Sequence, residues 1–131
     1  MYHNHHSHSY YSLLDGFSSP TELLKRAEEV GMTALSITDH GTLSGHRDFL
    51  NAAKETNVKP ILGLEAYFTN DRLDKRAKKD RGENGQIYNH LIVLAKNELG
   101  LQNLSKLSEI GWNDGFFMKP RIDFEVLEKY S

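Results

Sequence analysis

Lys59-Pro60-Ile61-Leu62-Gly63-Leu64-Glu65-Ala66-Tyr67-Phe68 is an apolar run broken by one carboxylate. Ten residues of this kind read as a strand buried on both faces, the habit of parallel sheets covered by helices. Glu65 is the exception within it. An unpaired carboxylate is costly to bury, so Glu65 needs a cation, a hydrogen-bond network or water. One run therefore carries two expectations, a layered α/β fold and a polar site on its strand.

Working towards the N-terminus, Ser44 to Asn57 reads as a helix with Phe49, Leu50 and Ala53 as its apolar stripe. His46 falls inside that helix and reads as structural. Thr33 to Thr38 is a short strand rich in β-branched residues, and it runs into the polar turn Asp39-His40-Gly41. Ser19-Pro20-Thr21-Glu22 has the form of a capping box with proline at the first helical position. Leu23, Leu24, Ala27 and Val30 follow at helical spacing, and Gly31 stops the helix. Before it lies Met1 to Gly16, with His3, His5, His6 and His8. On a strand, residues i and i+2 point the same way, so His6 and His8 share a face and can grip one ion. A frayed terminus or a tag is the plainer reading of such a run. Asn4 and Ser7 interrupt it, and hydrophobic sequence follows at once.

Towards the C-terminus, Asn70 to Gly85 is a charged linker in which Arg72, Lys75, Arg76, Lys78, Lys79 and Arg81 lie among acidic residues. A solvated loop is the ordinary reading, and a segment contacting DNA phosphates is the sharper one. Tyr88 to Lys96 is a strand that begins near His90. Asn97-Glu98 opens a helix with Leu101, Leu104, Leu107 and Ile110. Phe116 to Arg121 reads as a short extended piece, and Asp123 caps a last helical turn or two.

At 131 residues the chain fits one domain. A formal net charge of -2 gives no global field to draw nucleic acid, so any such contact is local. With no cysteine, disulfide frameworks and thiolate metal sites are excluded, and metal ligands must be His, Asp or Glu. No apolar run approaches the ~20 residues of a membrane span.

In parallel α/β folds, catalytic groups gather at the carboxyl ends of strands. His6, His8, Asp15, His40 and Glu65 fit that rule. His90 does not, because it precedes its apolar run and is predicted at the opposite end. Together the six supply nitrogen and oxygen ligands suited to Zn, Mn or Fe, enough for more than one ion.

The segments His6 to Gly16, Ile37 to Gly41, Pro60 to Glu65 and His90 to Asn97 resemble the polymerase and histidinol phosphatase (PHP) domain. The version at the N-terminus of bacterial DNA polymerase III alpha subunits is the most similar, and Phe117 to Asp123 and Leu127 to Ser131 also look like it. The resemblance runs in order along essentially the whole chain. It implies an α/β fold of parallel β/α units forming part of a distorted (β/α)7 barrel, with residues 1–131 as the N-terminal portion of a PHP domain. It also implies up to three divalent metal ions. On that pattern His6, His8 and Glu65 hold one metal, Glu65 bridges to a second with His90, and Asp15 and His40 serve a third. Asp39 is then a supporting partner. The implied chemistry is phosphoester hydrolysis by a metal-bound hydroxide, acting as a 3′–5′ exonuclease in polymerases with an intact site.

The family domain is about twice this length, judged against barrels of ~250 residues. Its later ligands, a His or Cys in the next segment and an Asp-x-His pair, have no counterpart here. The expectation is weak or absent activity for the chain alone. A sheet edge would be left for a second copy or the rest of a polymerase to cover, as in a shortened or split protein. A non-catalytic docking or assembly domain is the alternative. The implied setting is the bacterial cytoplasm, for a bacterial protein or a phage protein in its host.

Overall fold

The computed structural model describes residues 3–76, 85 and 87–131. The element order is α1 (Pro20–Glu29), β1 (Ala34–Ile37), α2 (His46–Ala53), β2 (Lys59–Phe68), β3 (Asn89–Leu94), α3 (Glu98–Asn113), β4 (Arg121–Ile122) and α4 (Phe124–Lys129). The apolar run Lys59–Phe68 is β2, and β1, β3 and β4 each pair with it.

The capping box forms as the spacing predicts. Glu22 N–H donates to Ser19 Oγ (3.1 Å), and Ser19 N–H donates to Glu22 Oε2 (2.7 Å). Gly31 follows with φ 77°, a left-handed value that a side chain would strain. Asn97 and Asp123 cap α3 and α4 through Gly100 N–H and Val126 N–H. The helix expected over 44–57 is shorter, His46–Ala53, and no side chain caps its start.

The sheet is mixed, which corrects the expectation of parallel β/α units throughout. β1 and β4 pair with β2 in parallel, while β3 pairs antiparallel, with Gly63 opposite Leu94 and Phe68 opposite Asn89. β2 passes to β3 through the charged linker, with no helix between them among the described residues. The segment carrying His6 and His8 is also not a regular strand. It lies extended beside β1, with one bridge at Asn4–Leu35 and hydrogen bonds from Ser36 N–H to Asn4 O and from Thr38 N–H to Ser7 O. The extended piece expected at 116–121 reduces to β4 and a bridge between Phe117 and Lys119.

Two apolar clusters hold the sheet. Leu24 and Ala27 of α1 and Phe49 and Ala53 of α2 pack on Leu35, Ile37, Val58 and Leu62. Leu104 and Leu107 of α3, with Ile122 and Val126, pack on Leu64 and Ala66. Because side chains alternate along a strand, burying Leu64 and Ala66 on the helix side turns Glu65 and Tyr67 to the other face.

Candidate metal centre

Glu65 stands on that other face with 2% of its surface exposed. Four imidazoles converge on it. His6 Nε2 lies 2.5 Å and His8 Nε2 2.6 Å from Oε2, and the two nitrogens lie 3.1 Å apart. His90 Nδ1 contacts Oε1, and His40 Nδ1 lies 3.4 Å from the same oxygen. Asp15 Oδ2 completes the ring, touching His8 Nδ1 and lying 3.0 Å from His40 Nε2. All six candidate ligands of the sequence reading are thus in one cluster.

His90 reaches it because of the antiparallel strand. With β3 reversed, its first residues lie beside the carboxyl end of β2, and His90 sits opposite Tyr67. The expectation that placed His90 at the far end assumed a parallel neighbour. His40 is clamped by the backbone, since Glu65 N–H donates to Asp39 O and Gly41 N–H donates to Glu65 O. His3 and His5 stand outside the cluster.

Asp39 is 1% exposed and supports the loop that carries His8 and Asp15. Its carboxylate accepts from Ser9 N–H (2.7 Å), Ser9 Oγ (2.8 Å) and Ser12 Oγ (2.9 Å). The Ser12 hydroxyl in turn accepts from His40 N–H at 3.0 Å. Gly16 closes the same loop against Ser9, where a Cβ would stand 1.8 Å from the Ser9 carbonyl oxygen. Ser9, Ser12 and Tyr67, whose ring lies 5.9 Å from that of His40 and 5.4 Å from that of His90, were not singled out from sequence. Two serines followed closely by a ligand aspartate were the only available signal.

Proton counting decides what the cluster can do. Six ring nitrogens of His6, His8, His40 and His90 face the oxygens of two carboxylates. Four neutral imidazoles carry four protons, so hydrogen bonds alone satisfy every contact only if His8 and His40 are doubly protonated. Burial pushes His40 below its ordinary pKa of 6.5, with His8 and His90 adding to the effect against Glu65 and Asp15, so its neutral form is favoured. Its Nδ1 is buried with no hydrogen-bond partner. Burial drives Glu65 upward, but the bonds from His6 and His8 and the positive potential of His40 and His8 overcome it and leave its carboxyl below the usual value. Asp15 is also lowered, chiefly by the bond from His8. Lone pairs aimed at common points satisfy the same geometry without extra protons if cations sit there.

Three sets meet the requirement, with ligand atoms all within 4.8 Å of one another: His6–His8–Glu65, His8–Asp15–His40 and His40–Glu65–His90. Two ligands of one tetrahedral ion stand about 3.4 Å apart for metal–ligand bonds near 2.1 Å. The cluster lies slightly inside that separation, and small outward shifts would admit ions. Donors of this type suit Zn, Mn or Fe.

The charged linker is tied down where it is described. Arg72 Nη1 bonds Asp123 (3.0 Å) and Glu125 (2.7 Å), and Arg76 pairs with Asp74 (3.0 Å). Lys75 Nζ donates to the carbonyls of Asp114 (2.6 Å) and Phe116 (2.8 Å). Lys78, Lys79 and Arg81 lie outside the described residues.

The PHP domain model matches residues 4–131. The chain belongs to the PHP domain family. It is 47% identical over 128 residues to DNA polymerase III subunit alpha of Aquifex aeolicus, covering 96% of this chain and 11% of that protein. The same subunit of Borreliella burgdorferi is 45% identical over 126 residues, again covering 96% and 11%. The chain therefore spans about a tenth of the length of these curated relatives. Among solved structures, it resembles a protein assigned as a metal-dependent phosphoesterase from Bifidobacterium adolescentis, with a TM-score of 0.51 and 23% identity over 79% of this chain and 30% of that one. An amidohydrolase from Chromobacterium violaceum, solved with sulfate and without metal, gives 0.51 and 22% over 82% and 32%. These PHP and phosphoesterase-like neighbours agree with the mixed α/β sheet described above. No helix among the described residues is long and apolar enough to cross a membrane.

Proposed function

We propose that this chain is the N-terminal portion of a PHP domain and serves a metal-dependent phosphoesterase of the polymerase III alpha type. The observation that carries the proposal is the convergence of six ring nitrogens on Glu65 and Asp15 without the protons to satisfy them. His6, His8 and Glu65 would hold one divalent ion, Glu65 and His90 a second, and Asp15 and His40 a third. Bound ions of this kind supply Lewis-acid stabilisation of phosphoryl charge and an acidified water. The chain's own part is to aim four imidazoles at shared points, favour the neutral form of His40, hold two carboxylates ionised, and fix the loop from Ser9 to Gly16 through Asp39. The substrate on this reading is the 3′ end of DNA. Phosphate contacts from the charged linker belong to the same proposal through Lys78, Lys79 and Arg81, since Arg72, Lys75 and Arg76 are engaged within the fold; so do a place within a larger polymerase, pairing with a second copy, and a bacterial cytoplasmic setting.

The test is metal analysis of tag-free protein purified without chelator, alongside hydrolysis of a 3′-labelled oligonucleotide. At least one equivalent of Zn, Mn or Fe is expected, with weak or no cleavage by the chain alone. Less than about half an equivalent, judged against the affinity of ordinary built sites, overturns the ligand assignment and favours a docking domain.

A further inference from the structure

A cleft of about 910 Å³ opens directly beside the cluster. Asp15, His40 and His90 line it together with Trp112 and Phe116. Those two rings are stacked at 16° with centroids 5.5 Å apart, yet remain 51% and 46% exposed. Lys119 lines the same cleft, its Nζ 5.3 Å from the centre of the Tyr67 ring, which itself lies against the His40 and His90 rings. No carboxylate among the described residues pairs with it.

The ring pair is fixed in place. Trp112 Nε1 donates to Gly41 O at 3.0 Å, next to His40. Lys75 holds the carbonyls of Asp114 and Phe116, and Arg121 Nε donates to Gly115 O at 3.0 Å. Met118, between Phe116 and Lys119, has φ 62° and turns an apolar side chain outward. A left-handed backbone at a residue other than glycine is strained and persists where its surroundings impose it. Exposed aromatic faces held rigidly, a cation and a phosphoester-type centre lining one cleft match a ligand that alternates flat bases with phosphates.

We propose that Trp112 and Phe116 form a stacking platform for a base of single-stranded nucleic acid, with Lys119 on the adjoining phosphate. The proposal rests on the phosphoesterase reading for the direction in which the strand runs. The platform places a base in the cleft and leads the backbone past Lys119 towards Glu65. Aromatic stacking accepts any base, so the site selects single strands over duplex without reading sequence.

Trp112 is the single tryptophan of the chain, which gives a direct probe. With metal removed by chelator, so that nothing is cleaved, hexathymidylate should quench Trp112 emission saturably. A hexamer of abasic sites with the same phosphates should bind at least tenfold more weakly. By anisotropy of labelled hexathymidylate, Trp112→Ala and Phe116→Ala should each weaken binding about tenfold, and Trp112→Phe should restore most of it. Lys119→Gln should weaken both oligomers alike and reduce the salt slope by about one. Should Trp112→Ala fail to fold, Phe116→Ala and the abasic comparison carry the test. Equal binding of the two oligomers, or unchanged binding by both Phe116→Ala and Trp112→Ala, overturns the platform. A protein that holds metal as purified yet fails these tests leaves the phosphoesterase reading standing, whereas one that takes up no metal before chelator is added but passes them overturns only that reading.

Discussion

Glu65 and Asp39 are two carboxylates buried to nearly the same degree; Glu65 lies on β2, Asp39 two residues past the end of β1, and both belong to the backbone clamp around His40. Asp39 is surrounded by donors whose protons are unambiguous, one amide and two serine hydroxyls. Glu65 is surrounded by imidazole nitrogens, which carry either a proton or a lone pair. The first arrangement is complete as it stands and holds a loop. The second becomes complete only when something positive is shared among its members. Burial alone does not distinguish a structural carboxylate from a ligating one, but the chemistry of the partners does.

The largest break of this contrast is Glu65→Gln. Metal affinity should fall on the order of 100-fold or more, because the charge shared by two ligand sets is lost. The metal-free protein should lose only the stability that the ionised carboxylate adds, since the amide keeps one acceptor for the imidazoles. Asp39→Ala should do the reverse in kind. It strands two hydroxyls and an amide, and a loss of about 3 kcal/mol is expected by chemical denaturation. Metal affinity should drop about tenfold, through the loosened loop under His8 and Asp15.

Acidification of the metal-free protein separates further groups. His46 donates from Nε2 to Gly63 O at 2.8 Å, yet burial outweighs that bond and holds its pKa below the ordinary 6.5. The unfolded chain therefore takes up the proton first, and stability should fall as pH drops through 6.5 towards the folded value. His46→Gln should flatten that part of the profile. Glu65 acts in a lower window, since its stabilisation is present above its ordinary 4.5 and is lost as pH falls through its depressed folded value. Thermal melts between pH 7 and 3 would resolve the two. The smallest effect is at a site remote from both carboxylates. Ser19→Ala should cost about 1 kcal/mol through the lost cap and leave metal content unchanged.

Much of this was legible in the residues because it depends on local spacing. Ser19 to Glu22 announced a helix start, and the i, i+2 spacing of His6 and His8 placed them on one face even though their segment makes only one bridge. A carboxylate inside an apolar strand marked Glu65. Strand direction was not legible. Nothing in Asn89 to Leu94 states whether that strand runs with β2 or against it, and the antiparallel choice alone brings His90 to the cluster. The hydroxyls on Asp39 and the carbonyls under Lys75 were equally hidden, because such pairings depend on three-dimensional closure between distant segments. Lys75 read as a surface charge, while in the fold it holds the turn after α3.

The most direct measurement is a crystal structure of metal-replete protein with anomalous data at the Zn and Mn edges. Expected is an anomalous peak bonded to His6 Nε2, His8 Nε2 and Glu65 at about 2.0–2.2 Å, with further density between Glu65 and His90. A clean map in which the imidazoles bond Glu65 directly, at full metal loading, would contradict the assignment of Glu65 as a ligand.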